Sequence, residues 1–175
     1  MEDLLYSPYD IAYIISKNDI GVSDTARVLN EMFIKDNAYI EPEYCDSKPK
    51  FMLAVMDMLN YINNKDAYES EAPAIKKDAE DLGINSDDQG YADLQVVNLF
   101  FKEMRLNILY SSQYYTRLKL RTLLANFGYK RRSESIVRYI RDCLMFYHIK
   151  TTLRGNIPCD IEQIGLDEMV TFRVI

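Results

Sequence analysis

The sequence predicts a mainly α-helical protein, with a helical bundle in its N-terminal part and a C-terminal α+β module that carries a small β-hairpin. Three observations predict it. Glycine and proline number only 6 and 5 in 175 residues, too few for a β-sandwich with many tight turns. Apolar residues recur at i, i+3 and i+4 along most of the chain, the spacing of a buried helical stripe. Only near the C-terminus do β-branched runs replace that period, in "IKTT" and "TFRVI". Hydrophobic residues make up 48% of the chain, enough for a sizeable core and against wholesale disorder.

The first helix starts at Ser7-Pro8, a cap followed by proline at the first helical position, and buries Ile11, Ile14 and Ile15. Gly21 is its expected end. A second helix is expected from Ser23, with Ala26, Val28, Leu29, Met32 and Phe33 along it. The pair forms an αα-hairpin that superficially resembles a helix-turn-helix. Its second helix sets Arg27 and Lys35 against Asp24, Glu31 and Asp36, a balance that phosphates would repel, so its role is structural or protein-binding.

Residues 39–50 have two prolines and no helical period and read as a loop. Residues 51–63 read as a helix with Met52, Val55, Met56, Leu59 and Ile62 on one side. Its methionines, Met52, Met56 and Met58, could form an adaptable binding face; core filling is the preferred reading. A polar acidic stretch follows, with a short helix expected over residues 74–82, a stop at Gly83 and a loop over residues 85–90. Asp87 and Asp88 lack the register of an EF-hand. Residues 91–110 resume an amphipathic helix through Leu94, Val97, Phe100, Phe101, Met104 and Leu106.

The charge is unevenly spread. Residues 1–100 carry 8 Lys and Arg against 20 Asp and Glu, a balance of −12, residues 101–154 reach +9, and residues 155–175 return to −3. Such asymmetry points to a polyanion contact on the basic part. The plainer alternative is that the basic segment docks on acidic surface of its own chain or a twin subunit. The organisation expected is an acidic helical region over 1–90 and a basic module over 91–175.

Several classes are set aside. No apolar run approaches the ~20 residues of a membrane span, and the N-terminus does not read as a signal peptide. Cys45, Cys143 and Cys159 are scattered, which fits reduced thiols in a cytoplasmic protein. With His148 the only histidine, no metal site and no cofactor is expected. There is no GxGxxG, P-loop or HExxH, and the acidic pair Glu41 and Glu43 has no matching base, so the chain is read as non-enzymatic.

The basic module is expected to run as helix, turn, helix and a strand pair. A helix after "SSQYY" would continue to Phe127, burying Leu120, Leu123, Leu124 and Phe127 and placing Arg117 and Arg121 as surface neighbours. Gly128 suits the left-handed C-terminal cap, and Ser133 the N-cap of a helix over residues 134–148. Val137, Ile140, Leu144 and Tyr147 would face inward, with Arg138, Arg141 and Met145 on another side. A hairpin around Arg154, Gly155 and Asn156 would follow. That order is the order of a winged helix, with the longer helix as reader and the hairpin as wing.

The stretch "LRTLLANFGYKRRSESIVRYIRDCLMFYHIKT" resembles a winged-helix-type module of bacterial defence- and restriction-associated proteins. The resemblance rests on Phe127, Gly128, Arg131, Arg132, Ile140, Arg141 and Thr151, and "IGLDEMVTFRV" resembles the closing strand. It covers residues 118–175, with Ser133 where glycine or proline is usual. If the module grips nucleic acid, Lys130, Arg131 and Arg132 would neutralise phosphates near the helix N-terminus, and Arg138 could reach a base edge. Arg154 would sit on the wing, and Arg117, Arg121 and Arg141 complete the expected contacts. Tyr114, Tyr115 and Tyr129 could stack on unpaired bases; core packing is preferred for Tyr114 and Tyr115.

Two functions fit. One is a nucleic-acid-binding regulator, DNA or RNA, whose acidic half serves dimerisation or partner contacts. The other is a phage or mobile-element inhibitor of the anti-CRISPR or anti-defence type, binding a nucleic-acid-bound protein complex, with the acidic half mimicking nucleic acid. Charge reversal in residues 66–93 would abolish the second.

Overall fold

The computed structural model describes residues 4–64, 89–110 and 114–175. The chain divides into two compact units, Met1–Asp87 and Asp88–Ile175. The helix expected over residues 74–82, its stop at Gly83 and the loop through Asp87 and Asp88 lie outside the described residues.

In the first unit, α1 spans Pro8–Lys17 and opens with a full capping box: Ser7 Oγ accepts from Asp10 N while the Asp10 carboxylate accepts from Ser7 N. Its buried stripe of Ile11, Ala12, Ile14 and Ile15 packs principally on α4, Lys48–Asn63, through Phe51 and Val55. The two helices expected to form a hairpin therefore do not make the main contact. Gly21 does not end α1 either. The chain turns at Asn18 and at Asp19, which takes a left-handed φ of 51°, and Gly21 caps α2, Val22–Lys35. Thr25 Oγ1 donates to Gly21 O, which secures that first turn.

Residues 39–50 are more ordered than their prolines suggest. They hold a short α3, Pro42–Cys45, and Tyr6 is buried beneath them by a bridge to Ile40. Pro42 and Pro49 both sit in first turns, where a missing N–H costs nothing. The methionine reading is corrected: Met56 and Met58 are exposed, because α4 turns Phe51 and Val55 inward instead.

The second unit runs α5 (Gln89–Tyr110), β1 (Thr116–Lys119), α6 (Leu120–Asn126), α7 (Glu134–Phe146), β2 (Ile149–Thr152) and β3 (Met169–Val174). The sheet order is β1-β3-β2, antiparallel throughout. Its inner face carries Leu118, Val170 and Phe172 toward the helices. Phe101, Phe127 and Phe172 meet there, with ring centroids 6.3 Å and 6.5 Å from Phe101. Ile136, Val137, Ile140, Cys143 and Leu144 of α7 are buried, as helical period requires.

Residues 116–119 correct the longer helix expected there. Exposure alternates along "TRLK", and pairing with the distant β3 overrides local helical preference. Arg117 and Arg121 thus belong to different elements. The turn between α6 and α7 follows the sequence closely. Gly128 takes φ +80°, Gly128 N donates to Ala125 O and Tyr129 N to Leu124 O, the two bonds of a Schellman cap. Ser133 Oγ then accepts from Ile136 N at the start of α7.

The far end of α7 is held from α5. Tyr147, fully buried, donates its hydroxyl to Asn98 Oδ1, while its carbonyl accepts from Arg105 Nε at 3.2 Å. Replacing Tyr147 by Phe removes the donor and leaves buried acceptor capacity on Asn98. It should cost about 1–3 kcal/mol, read as a lower urea midpoint with an unchanged m-value.

Candidate nucleic-acid interface

The expected contact residues divide into two sets. All are exposed. Arg121, Arg132 and Arg141 are committed to residues 160–168, within the connection that joins β2 to β3. Arg121 clasps Asp167 with both arms of its fork, Nε to Oδ1 at 2.9 Å and Nη2 to Oδ2 at 3.0 Å. Arg132 Nη1 donates to the carbonyls of Ile161 and Glu162 at 3.1 Å and 2.6 Å. Arg141 pairs with the Glu162 carboxylate at 2.8 Å.

The backbone adds two more ties to the same connection. Leu120 N donates to Glu168 O and Arg121 N to Leu166 O, so otherwise unpaired amides at the start of α6 are satisfied by the connection. These three arginines therefore shape the fold, and part of the positive excess of residues 101–154 is neutralised by Glu162 and Asp167.

Lys130, Arg131, Arg138, Arg117 and Arg154 form the second set. They make no ion pair or side-chain hydrogen bond among the described residues. Lys130 and Arg131 lie in the turn before α7, and Arg138 stands on its exposed side with Met145, 73% exposed. Asp142 and Glu134 share that helix surface, which tempers its potential.

Arg154 sits in a tight turn where Gly155 and Asn156 both adopt left-handed φ and Leu153 N donates to Ile157 O. This turn does not join β2 to β3 directly, as the expected hairpin would. It folds residues 157–159 back along β2, with a Thr152–Pro158 bridge, before the chain reaches residues 160–168. The reason lies in those later residues, which must cross to the arginines of α6 and α7.

The tyrosines also differ from expectation. Tyr114 is 83% exposed and Tyr115 47% exposed, since the chain at that point already runs along the sheet edge rather than in a helix. The Arg173 guanidinium lies 5.4 Å from the Tyr115 ring centre. Lys119, Lys150 and Arg173 were missed as interface candidates. The alternation in "TRLK" was the available signal for Lys119; the other two become neighbours only through strand pairing.

Beside α7 a groove of about 500 Å³ has Leu144, Met145, Ile149, Pro158 and Ile161 among its walls. Among the described residues no group of three or more His, Cys, Asp or Glu could hold a metal ion. All three cysteines are free, and burial pushes the Cys143 thiol up to about 12, with Asp142 adding to the shift. No helix of the described residues is long and apolar enough to cross a membrane. Comparisons with protein-family models, with curated proteins and with solved structures give no match for this chain.

Hydrogen bonding from Arg121, reinforced by its charge, holds the Asp167 carboxyl below the usual aspartate range. The pair is present above that depressed value and is lost as pH falls through it. A carbonyl-carbon NMR titration should place Asp167 below an ordinary aspartate, and Arg121→Ala should return it to that range. An unshifted Asp167 in the wild-type chain would show that this clasp does not form in solution.

Proposed function

We propose that this protein is a non-enzymatic nucleic-acid-binding regulator whose C-terminal unit is a winged-helix-type module. The order helix, strand, helix, helix, strand, strand, with β3 between β1 and β2, supports the winged-helix reading. The observation that carries the binding reading is the set of uncommitted cations around α7. Lys130 and Arg131 precede its N-terminus and Arg138 stands on its exposed side, all without an acidic partner among the described residues.

The chemistry follows from their positions. Lys130 and Arg131 neutralise phosphates, aided by the partial positive charge of the helix N-terminus. Arg138, one to two turns into α7, reaches a base edge when the helix enters a major groove. Arg154 at the turn tip meets backbone or minor groove beside it. Arg121, Arg132 and Arg141 hold the connection that flanks the helix.

The inhibitor alternative rests on the acidic half of the chain mimicking nucleic acid, and most of residues 66–93, where charge reversal would test it, lie outside the described residues. No observation on the described part favours it.

Fluorescence anisotropy of labelled duplex DNA across a salt series tests the reading. Wild type should bind with log affinity falling linearly in log salt. Arg138→Ala should cost about 1–3 kcal/mol, and Arg131→Ala should lower the salt slope by about 1. Arg121→Ala should leave the slope unchanged. Absence of duplex binding, or indifference to Arg131 and Arg138, would overturn the reading.

A further inference from the structure

The sheet has a second face, and the strand register defines it. Directly opposed residues of antiparallel strands point to the same side. Leu118, Val170 and Phe172 point inward, so Arg117 opposite Thr171 and Lys119 opposite Met169 point outward, as do Thr152 opposite Thr171 and Lys150 opposite Arg173. Tyr115, two residues before Arg117, continues that outward row, which is why its ring meets Arg173. Four cations thus share one face, and none of the positions on it is a carboxylate.

The spacing is regular. Arg117 and Lys119 lie about 7 Å apart along β1, two residues at ~3.4 Å each, and the strands are separated by about 4.8 Å. Asp167, a carboxylate near Lys119, is already doubly bonded to Arg121. Arg173 donates to Asn156 Oδ1, so the Arg154 turn is tied to this face. At its centre Thr171 of β3, and Thr152 opposite it on β2, are each only 5% exposed beneath the longer side chains, and the buried Thr152 Oγ1 has no hydrogen-bond partner among the described residues.

We propose that this outer sheet face is a second nucleic-acid surface, one that takes an unpaired strand. It rests on the nucleic-acid reading above and extends it to single strands. Arg117, Lys119 and Lys150 follow the phosphates. Tyr115, which lies against Arg173, offers its ring to a splayed base, a contact that duplex DNA cannot use. A cationic sheet face bordered by the exposed Tyr115 suits a single strand better than the convex α7 does. Duplex contact stays with α7, so the two surfaces separate by substrate.

The experiment uses the full chain, a labelled short oligothymidylate and a labelled duplex, both read by anisotropy. Each variant's circular dichroism and melting temperature are checked against wild type. Tyr115→Ala should weaken oligothymidylate binding about tenfold, Tyr115→Phe should restore it, and the pair Arg117→Gln with Lys150→Gln should lower its salt slope by about 1.4. Duplex affinity should stay within about twofold for Tyr115→Ala. Sheet-face variants that bind oligothymidylate like wild type, while Arg138→Ala still loses duplex, overturn this inference and leave the α7 reading standing. Oligothymidylate binding that is lost with Tyr115, without any duplex binding, supports the sheet face and overturns the α7 reading. A wild-type chain that binds neither probe overturns both.

Discussion

Tyr147 is the residue on which the C-terminal unit hangs. Its ring is fully buried, its hydroxyl is bonded to Asn98 and its carbonyl to Arg105, two side chains two turns apart on one face of α5. The end of α7 is therefore fixed in angle as well as in position. Arg105 also supplies a donor to a carbonyl at a helix C-terminus, where cations and donors are favoured. Immediately after it His148 takes a left-handed φ of 51°, and the chain reverses into β2. Move Tyr147, and both the outward side of α7 and the register of β2 against β3 move with it.

That fixed frame explains why charge here is of two kinds. Residues 160–168 have only brief apolar anchorage, chiefly Ile161, and would otherwise be an open excursion between two strands. Arg121, Arg132 and Arg141 supply what the core does not, by binding two carboxylates and two carbonyls along it. Arginine suits that task because its planar fork makes several directed bonds at once. Lys130, Arg131, Arg138, Arg117, Lys119 and Lys150 make no ion pair among the described residues, and they lie at the two surfaces that the frame turns outward, α7 and the outer sheet face. A cation without a partner loses little by meeting a phosphate, whereas a clamped one must first break its bonds.

Much of the helical skeleton was legible because its signals are local. Ser7-Pro8 opened α1, Gly128 and Ser133 closed and opened the helices around the basic turn, and Val137, Ile140, Leu144 and Tyr147 fell on the buried side of α7 as their spacing required. The failures in the C-terminal unit share one cause, which is pairing at long range. β1 exists because residues 116–119 meet β3, and no local window contains both. The partner of Arg121 lies 46 residues away and that of Arg141 lies 21 away, so a run of arginines gave no hint of which were already spoken for. Gly21 misled for a different reason: glycine is commoner as a helix stop, but between two helices it also serves as an N-cap, as it does here.

The most direct test of this division is an NMR titration of the full chain with duplex DNA and, separately, with oligothymidylate, following side-chain guanidinium and backbone amide shifts. Duplex should perturb Lys130, Arg131 and Arg138, and the single strand should perturb Tyr115, Arg117 and Lys150. The guanidinium signals of Arg121, Arg132 and Arg141 should stay near their free positions in both. Perturbation centred instead on those three clamped arginines, or confined to the acidic N-terminal unit, would contradict it.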